Sequence, residues 1–343
     1  MKILILGVDG YLGYSLADYL TERKHRILGL DNFFRRRAVA EVKSQSLIPI
    51  EGRKMRWDFI EGDVNDYNLL SATLLAFKPD AIIHFAEQPS APFSMMDASH
   101  ALFTQRNNIL GTMTLLWAIK HCCPSTHLIK LGTMGVYGTP DDVIPEDDVS
   151  YAYDPASFYH NSKAADSINI RKACMWWGLK ATDLHQGVVY GHYQGTRFDY
   201  DSYFGTVINR FLTQALAGHD LTVYGKGGQT RGFININDTL RCIEIALENP
   251  SDGYRVFNQL TELFSINYLA QEVCALTGAK ISHIENPRFE KEEHFYSVVH
   301  QKLLKLGLKP RLLKDELPHI WKSIQPYKNR VIESVILPKT TWR

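Results

Sequence analysis

The sequence predicts an α/β protein in which a doubly wound parallel sheet is joined to a smaller mixed α/β domain. Short apolar strand candidates alternate with helical segments through the first half, and a glycine-rich turn follows the first strand. After about residue 190 the pattern becomes irregular, with longer loops and scattered strands. Strand and helix in alternation are typical of crossover units that cover both faces of a parallel sheet. We therefore expect one domain from residues 1–190 and about 231–262, and a second from 191–230 and 263–343.

Composition excludes several classes of protein. The 343 residues hold 38 Lys and Arg against 37 Asp and Glu, a net charge of +1, so we expect no nucleic acid or anionic membrane as partner. No apolar run reaches the roughly 18 residues that a membrane-spanning helix needs. The five cysteines lack metal-ligand spacing, and the first strand starts at Lys2 with no targeting segment before it. We predict a cytoplasmic protein without a metal site.

The first-half strand candidates are short and mostly lack the alternation of a half-exposed strand, as is typical of buried parallel strands. They are Lys2–Leu6, 26–30, 59–61, 80–85, 127–131 and 180–184. A helix is predicted over 11–23, because Leu12, Leu16 and Leu20 share one side of it. In the second half we expect strands at Leu221–Tyr224, 233–236 and 255–258, and a turn at 225–228.

Gly7, Gly10 and Gly13 lie between the first strand and the first helix. Glycines in this setting permit a tight turn, close approach of the backbone to a pyrophosphate, and close packing of helix on strand. The helix N-terminus, here Tyr11 and Leu12, then faces the phosphate charge. The spacing predicts a Rossmann-type dinucleotide site.

Asp31 ends the second strand, eighteen residues beyond Gly13, where a carboxylate accepts hydrogen bonds from the adenosine ribose. It would repel a 2′-phosphate, so with Asn32 it favours NAD over NADP. The three arginines at 35–37 instead favour NADP, because their positive charge would attract a 2′-phosphate. We interpret that run as a solvated charge cluster, although Arg35 remains a candidate for cofactor binding. Asp63 and Val64, after the third strand, are placed to meet the adenine.

Tyr159 and Lys163 are four residues apart, so on a helix both project from the same face. A lysine ammonium beside a phenol lowers its pKa from about 10. Tyr159 could then take a proton from a sugar hydroxyl while a hydride leaves the same carbon for NAD. Thr133 ends the fifth strand, where its hydroxyl could bond the reacting oxygen.

These residues, with the stretch 225–233 and Asp238, resemble the extended short-chain dehydrogenase/reductase family that acts on nucleotide sugars. The resemblance spans nearly the whole chain and is closest to the UDP-sulfoquinovose synthase branch. The stretches that carry it are FAEQ (85–88), SAP (90–92), LGTMG (131–135), SFYH (157–160), DLHQGVVYG (183–191), GKGGQTRG (225–232), FNQ (257–259) and NPR (286–288).

The resemblance implies that NAD oxidises C4 of UDP-glucose with Tyr159 as base. Loss of water across C5–C6 then gives a 4-keto-5,6-ene, sulfite adds at C6, and the hydride returns to C4. The product would be the sulfolipid head-group donor, and the enzyme a homodimer. Related 4,6-dehydratases have an Asp-Glu pair after the threonine where this chain has Met134 and Gly135. Elimination would therefore fall to Thr133, His160 or Glu87.

The resemblance also implies the site residues. Catalytic candidates are Tyr159, Lys163, Thr133, His160, Met134 and Glu87. Further cofactor-binding candidates are Phe85, Ala86, Glu87, Lys163, Gln186 and Val189. Substrate-binding candidates are Gln88, Thr133, Tyr159, Gln186, Arg210, Thr222, Tyr224, Gln229, Arg231 and Arg288, with Arg231 and Arg288 on the pyrophosphate because planar guanidinium groups suit it.

Three departures from that branch leave the reaction open. Pro89 replaces an expected arginine that could bind sulfite, Val136 replaces an expected glutamate, and the stretch 145–155 is shorter. One alternative is a nucleotide-sugar 4-epimerase or a 5,6-dehydratase variant that does not use sulfite. Another is a non-catalytic dinucleotide sensor, which the presence of both Tyr159 and Lys163 disfavours.

Overall fold

The computed structural model describes residues 1–139, 142–146, 154–288, 293–294 and 297–337. Most of the shortened stretch 145–155 lies outside the described residues. The strands are β1 (Lys2–Leu6), β2 (Arg26–Asp31), β3 (Asp58–Glu61), β4 (Ala81–His84), β5 (His127–Thr133), β6 (Lys180–Gln186), β7 (Val188–Tyr190), β8 (Leu221–Tyr224), β9 (Gly228–Asn235), β10 (Tyr254–Gln259), β11 (Glu262–Ser265), β12 (Ile281–Ile284) and β13 (Glu293–His294).

The α-helices are α1 (Tyr11–Glu22), α2 (Phe34–Glu41), α3 (Tyr67–Phe77), α4 (Ala91–Ser94), α5 (Ala98–Gln105), α6 (Gly111–Cys122), α7 (Phe158–Trp177), α8 (Val207–Ala217), α9 (Ile236–Glu248), α10 (Ile266–Thr277), α11 (Gln301–Lys305), α12 (Leu313–Ile324) and α13 (Glu333–Ile336). A π-helical turn over Arg106–Leu110 joins α5 to α6, and 3₁₀ turns cover Met134–Tyr137 and Gln325–Arg330. In the described residues no helix combines the length and the apolar character needed to cross a bilayer.

Seven parallel strands form the main sheet in the order β10-β6-β5-β4-β1-β2-β3. Apolar side chains of α1 and α9 pack on one face of it, and those of α3, α6 and α7 pack on the other. Because both faces are covered, Ile3, Leu4, Ile5 and Leu6 of β1 are fully buried. The predicted fold class is confirmed. Strand order reverses between β1 and β4, which is where ligands bind in open α/β sheets.

The second half adds two small sheets over the carboxyl ends of these strands. One joins β11, β9 and β13, with β7 beside β9, and the other pairs β12 with β8. The strand predicted at 233–236 starts earlier, at Gly228, and ends at Asn235. It ends there because the Asn235 side chain accepts a hydrogen bond from the Asn237 amide at 2.8 Å and begins α9.

Candidate functional site

A cavity of about 430 Å³ lies at the carboxyl edge of the main sheet. Its walls come from the loops that follow β1, β2, β4 and β5, from the start of α7, and from the second-half segments around residues 202–206 and 231–232. It therefore occupies the crevice where strand order reverses, roofed by the second half of the chain. The predicted site residues that line it are Gly7, Gly10, Tyr11, Leu12, Gly13, Asp31, Asn32, Arg35, Val64, Phe85, Ala86, Glu87, Thr133, Met134, Tyr159, His160, Lys163, Gln186, Val189, Arg231 and Arg288.

The glycine-rich turn fits a dinucleotide. Gly7 has φ +82°, and a Cβ there would lie 2.6 Å from the Phe85 carbonyl carbon; a Cβ on Gly13 would collide with the Gly7 carbonyl oxygen. The backbone is thus packed without room for side chains where the pyrophosphate would approach. Within the described residues, the buried Oε1 of Gln186 at the cavity wall has no hydrogen-bond donor. Both observations agree with bound NAD.

The Asp31 carboxylate has a structural role in addition to its predicted contact with the ribose. It accepts hydrogen bonds from the backbone amides of Asp9 at 2.8 Å and Phe33 at 2.6 Å, which fixes the loops after β1 and β2 against each other. Asp63 does not line the cavity. Instead its carboxylate accepts a bond from Asn32 Nδ2 at 2.9 Å, so it positions Asn32, which does line it.

The interpretation of residues 35–37 as a solvated cluster is wrong for Arg35, which is 12% exposed, and incomplete for Arg36, which is 42% exposed but also pairs with a buried carboxylate. Arg35 Nη2 lies 2.6 Å from Asp199 Oδ2, and its guanidinium stacks 4.1 Å from the centre of the Phe204 ring. Arg36 Nη2 lies 2.6 Å from Asp9 Oδ1. Asp9 is fully buried inside the glycine-rich turn, so Arg36 anchors that turn. Neither carboxylate partner, Asp199 or Asp9, could be recognised from the sequence pattern.

Tyr159 and Lys163 project into the cavity from the first turns of α7. The helix begins there because the Ser157 hydroxyl accepts a hydrogen bond from the His160 amide at 3.2 Å. The Thr133 side chain lines the same cavity and lies close enough to the Tyr159 phenol to oppose the rise of its pKa. The structure thus brings the three predicted groups together at the end of β5.

The expected lowering of the phenol pKa is not found. Burial, reinforced by the negative charge of Glu87, raises the pKa of Tyr159. The reason is that Lys163 serves other partners: its ammonium donates to the Glu87 carboxylate and to the carbonyl oxygen of Leu131. The residues alone therefore keep Tyr159 protonated, and further positive charge must come from what binds in the cavity.

The His160 ring lies against Gly135, the position at which related 4,6-dehydratases are expected to have an acidic side chain. A Cβ on Gly135 would collide with the His160 ring, so the ring occupies space that only glycine leaves open. His160 Nδ1 is held by the Ser157 hydroxyl at 2.9 Å. Burial, with the charges of Arg288 and Arg231, lowers the pKa of His160 to about 3. The imidazole is therefore neutral near pH 7, and the two guanidinium groups oppose its protonation as long as their charge is not offset.

Three predicted substrate residues lie behind the cavity wall, beside Arg288. Arg210 Nη1 donates to the Tyr224 hydroxyl at 2.8 Å, Gln229 Nε2 donates to the Tyr224 carbonyl at 3.2 Å, and the Arg288 guanidinium lies 5.7 Å from the centre of the Tyr224 ring. Arg210 Nε and Gln229 Oε1 are buried without hydrogen-bond partners in the described part of the chain. Arg210, Tyr224 and Gln229 therefore form a connected polar group next to Arg288.

Two predicted substrate contacts are wrong. Gln88 is fully buried and turned into the protein, where its amide nitrogen donates to the Thr104 hydroxyl and to the Ser90 carbonyl. Thr222 is buried against α8 and its hydroxyl accepts from Gln214 Nε2 at 2.7 Å. Val136 is likewise fully buried in an apolar cluster away from the cavity, so replacing a carboxylate there does not change the cavity lining.

Comparisons with known proteins agree with this geometry. The sequence model of the NAD dependent epimerase/dehydratase family matches residues 3–258. The chain is 43% identical to a chloroplastic UDP-sulfoquinovose synthase of Spinacia oleracea, over all of this chain and 79% of that protein. It is 39% identical to a UDP-sulfoquinovose synthase of Sulfolobus acidocaldarius, over all of this chain and 98% of that protein.

Solved structures share the fold over almost the full length. A UDP-glucuronic acid 4-epimerase from Bacillus cereus, in complex with UDP-glucuronic acid and NAD, superposes with a TM-score of 0.77 at 25% identity, covering 95% of this chain and 99% of that one. A UDP-glucose 4-epimerase from Thermotoga maritima superposes with a TM-score of 0.79 at 22% identity, over 95% and 99% of the two chains.

Proposed function

The chain belongs to the NAD dependent epimerase/dehydratase family, and from that premise we propose that it is a UDP-sulfoquinovose synthase-like enzyme, which joins sulfite to UDP-glucose through a 4-keto-5,6-ene. The two sulfoquinovose synthases, similar over the whole of this chain, support the substrate class. NAD is the cofactor, held by the glycine-rich turn, Asp31 and Asn32. The observation that carries the proposal is the convergence of Tyr159, Thr133 and His160 on one cavity beside two arginines.

Bound NAD supplies a positively charged ring that accepts a hydride from C4 and can return it. Tyr159 takes the proton of the C4 hydroxyl while Thr133 donates a hydrogen bond that orients the same oxygen. The positive charge that NAD would bring to the cavity would offset the burial that keeps the phenol protonated. The C4 ketone so formed acidifies the proton at C5.

His160 is the group best placed for elimination. Of the three candidates, Glu87 is held by both Lys163 and Lys130, and Thr133 is already assigned to the C4 oxygen. The neutral His160 imidazole accepts the C5 proton, and the imidazolium returns a proton to the departing C6 hydroxyl, which leaves as water. The substrate diphosphate would offset the charges of Arg231 and Arg288, which makes His160 more basic when substrate is bound.

The nucleotide part of the substrate binds on the side of His160 where Arg231 and Arg288 lie. Arg231 and Arg288 hold the diphosphate, and the subsite formed by Arg210, Tyr224 and Gln229 holds the uracil and its ribose. The unpartnered Arg210 Nε and Gln229 Oε1 support this placement. In this scheme residues 1–190 with 231–262 form the NAD-binding domain, and residues 191–230 with 263–343 form the nucleotide-sugar domain.

Sulfite is the least supported part of the reaction, because Pro89 lines the cavity where the sulfoquinovose branch is expected to have an arginine. This observation favours, as second candidate, a relative that oxidises C4 and then dehydrates or epimerises the sugar. Both candidates share every step up to C4 oxidation.

The two candidates are separated by incubating the purified protein with UDP-glucose, with and without sulfite, and weighing the products by mass spectrometry. A sulfite-dependent UDP-sugar with the added sulfonate mass is the expected result. Loss of water alone, or a change of configuration at C4, in the presence of sulfite would contradict the synthase and establish the second candidate. Unchanged UDP-glucose in both incubations would contradict both.

We also propose a cytoplasmic homodimer. Leu102 of α5 and Ile168, Met175 and Trp176 of α7 are exposed apolar side chains on two helices that pack together. A second copy of the chain would cover them. Light scattering should give about twice the chain mass of 39.2 kDa, and a monomer would contradict this. The five cysteines, all within the described residues, form no disulfide, which suits a reducing compartment and is tested by cell fractionation.

A further inference from the structure

Four charged side chains are buried together beneath the catalytic tyrosine. Lys163 and Lys130 both contact the carboxylate of Glu87, and the Lys130 ammonium lies 2.5 Å from Glu87 Oε1. Lys130 also donates to Asp166 Oδ2 at 3.0 Å. None of the four side chains is more than 4% exposed. We call Glu87, Lys130, Lys163 and Asp166 the buried tetrad.

Lys130 is an unexpected residue at this place. It lies in β5, a central strand of the main sheet, with its side chain 1% exposed. Burying an ammonium is costly unless it is paired, so it is kept where it has a task or a matched partner. Lys130 reaches no cavity wall itself. Among the described residues its ammonium is paired with Glu87 and Asp166, which places it behind Lys163 as seen from the cavity.

The two buried carboxylates, Asp166 and Glu87, differ in how readily they bind a proton. Asp166 Oδ1 is buried and accepts no hydrogen bond from the described residues. A proton on Asp166 would be shared with Glu87, and burial with the Glu87 charge raises the pKa of Asp166 well above its ordinary value. The charges of Lys130 and Lys163 lower the pKa of Glu87. Of the two carboxylates, Asp166 is therefore the one that binds a proton more readily.

We propose that Lys130 is a positioning residue of the reaction: paired with Glu87 and Asp166, it holds the Glu87 carboxylate against Lys163 and adds a buried positive charge beneath Tyr159. That charge favours the phenolate form of Tyr159. The inference rests on the proposed role of Tyr159 as base, but not on sulfite.

Other titratable groups also face the tetrad. They are His84 from β4, Asp183 from β6 and Tyr159 from α7, and behind Asp183 lie His185 and Tyr254, with Tyr137 bonded to His185. Burial, with the charge of Lys130, lowers the pKa of His84 to about 3, so it is neutral near pH 7. Asp183 lies beside His185 and accepts from Ser167 and Tyr254.

The test is a charge cycle on the NAD-loaded protein with Lys130→Met, Glu87→Gln and the double variant. Lys180→Met, on the neighbouring strand β6 but 44% exposed, is the matched control. Two quantities are measured. One is the unfolding temperature without substrate, and the other is the pH at which kcat for UDP-glucose is half-maximal on the acid side.

The signs follow from the charges. Activity needs the phenolate, so it is lost as pH falls through the pKa of Tyr159. Lys130→Met removes a charge that lowers this pKa, and the half-maximal point should move up by about one pH unit. Glu87→Gln removes a charge that raises it, and the point should move down. In the double variant the shifts should largely cancel, and Lys180→Met should move nothing.

The unfolding temperature tests the ion pair without any turnover. Lys130→Met should lower it by roughly 5 °C, because a buried carboxylate loses a partner, and adding Glu87→Gln should restore part of the loss. If the protein lacks sulfonate-forming activity, the unfolding temperature still decides whether Lys130 and Glu87 form an ion pair. The pH dependence of kcat can then be measured with any sugar nucleotide that the protein turns over.

Several results would overturn the proposal. A folded Lys130→Met enzyme with an unmoved pH profile would reduce Lys130 to a structural role. Shifts in the same direction for the two single variants would contradict the charge argument. If Lys130→Met does not fold, Glu87→Gln alone must still move the profile to lower pH. Asp166→Asn should move it less than Glu87→Gln does, and an equal shift would show that Asp166 is ionised.

Discussion

Replacing Tyr159 with phenylalanine is expected to lower the turnover of UDP-glucose by about 10³-fold, the scale of a lost general base. The ring keeps its packing at the start of α7, and only the hydroxyl that faces the cavity is removed. NAD content should stay unchanged, because the glycine-rich turn and Asp31 lie on the other side of the cavity. The measurement is kcat with UDP-glucose, together with NAD released from the denatured protein.

A matched control is Tyr203→Phe, which alters a second tyrosine of the same cavity to which no chemistry is assigned. It should keep most of the parent's turnover. If Tyr159→Phe remained fully active, the assignment of the base would be wrong. If it lost NAD as well, the effect would be on binding and not on proton transfer.

His160→Gln is expected to stop the chemistry after C4 oxidation. The parent enzyme, kept in D₂O with UDP-glucose and no sulfite, should incorporate deuterium at C5 of recovered substrate, because His160 removes and returns that proton. In His160→Gln the exchange should fall by about 10²-fold or more. Transient reduction of NAD by UDP-glucose, followed by absorbance, should persist because Tyr159 and Thr133 are untouched. Glutamine can still bond Ser157, so α7 should still begin correctly.

Gly135→Ala offers an independent route to the same result. Its Cβ would collide with the His160 ring, so the ring must leave its place while every catalytic side chain remains. C5 exchange should fall and NAD reduction should remain. The pH profile supplies a further check: since the pKa of His160 is lowered to about 3, free enzyme should show no histidine titration near pH 6.5 in kcat/KM. Normal exchange in both variants would assign the C5 proton to Thr133 or Glu87.

Local spacing predicted the parts of the site that a short stretch of chain builds by itself. The glycines at 7, 10 and 13 and the pair Tyr159 and Lys163 each lie within one strand–helix turn or on one helix face, so their spacing decides their geometry. The structure places all five at one cavity. Burial of both sheet faces likewise made the strands of the first half recognisable.

Long-range partners could not be predicted in the same way. Arg35 was assigned to solvent because Asp199 lies 164 residues away, and Arg36 because Asp9 lies 27 residues back. The expected pKa of Tyr159 had the wrong direction since nothing local shows that Glu87 takes the ammonium of Lys163. Gln88 was misplaced because a strand-end glutamine can turn inwards or outwards, and here buried partners turn it inwards.

The close fit of the His160 ring against Gly135 has a consequence for descent. An acidic side chain at position 135 would occupy the space of the His160 ring, so an acidic residue can enter position 135 only if position 160 changes or its ring moves away. A lineage that moves between carboxylate-driven and imidazole-driven elimination must change both positions, passing through an intermediate in which one proton carrier is absent. Positions 135 and 160 are therefore expected to change together in evolution. The residues at both positions, considered jointly, would classify sequences of this fold by the group that carries out the elimination step.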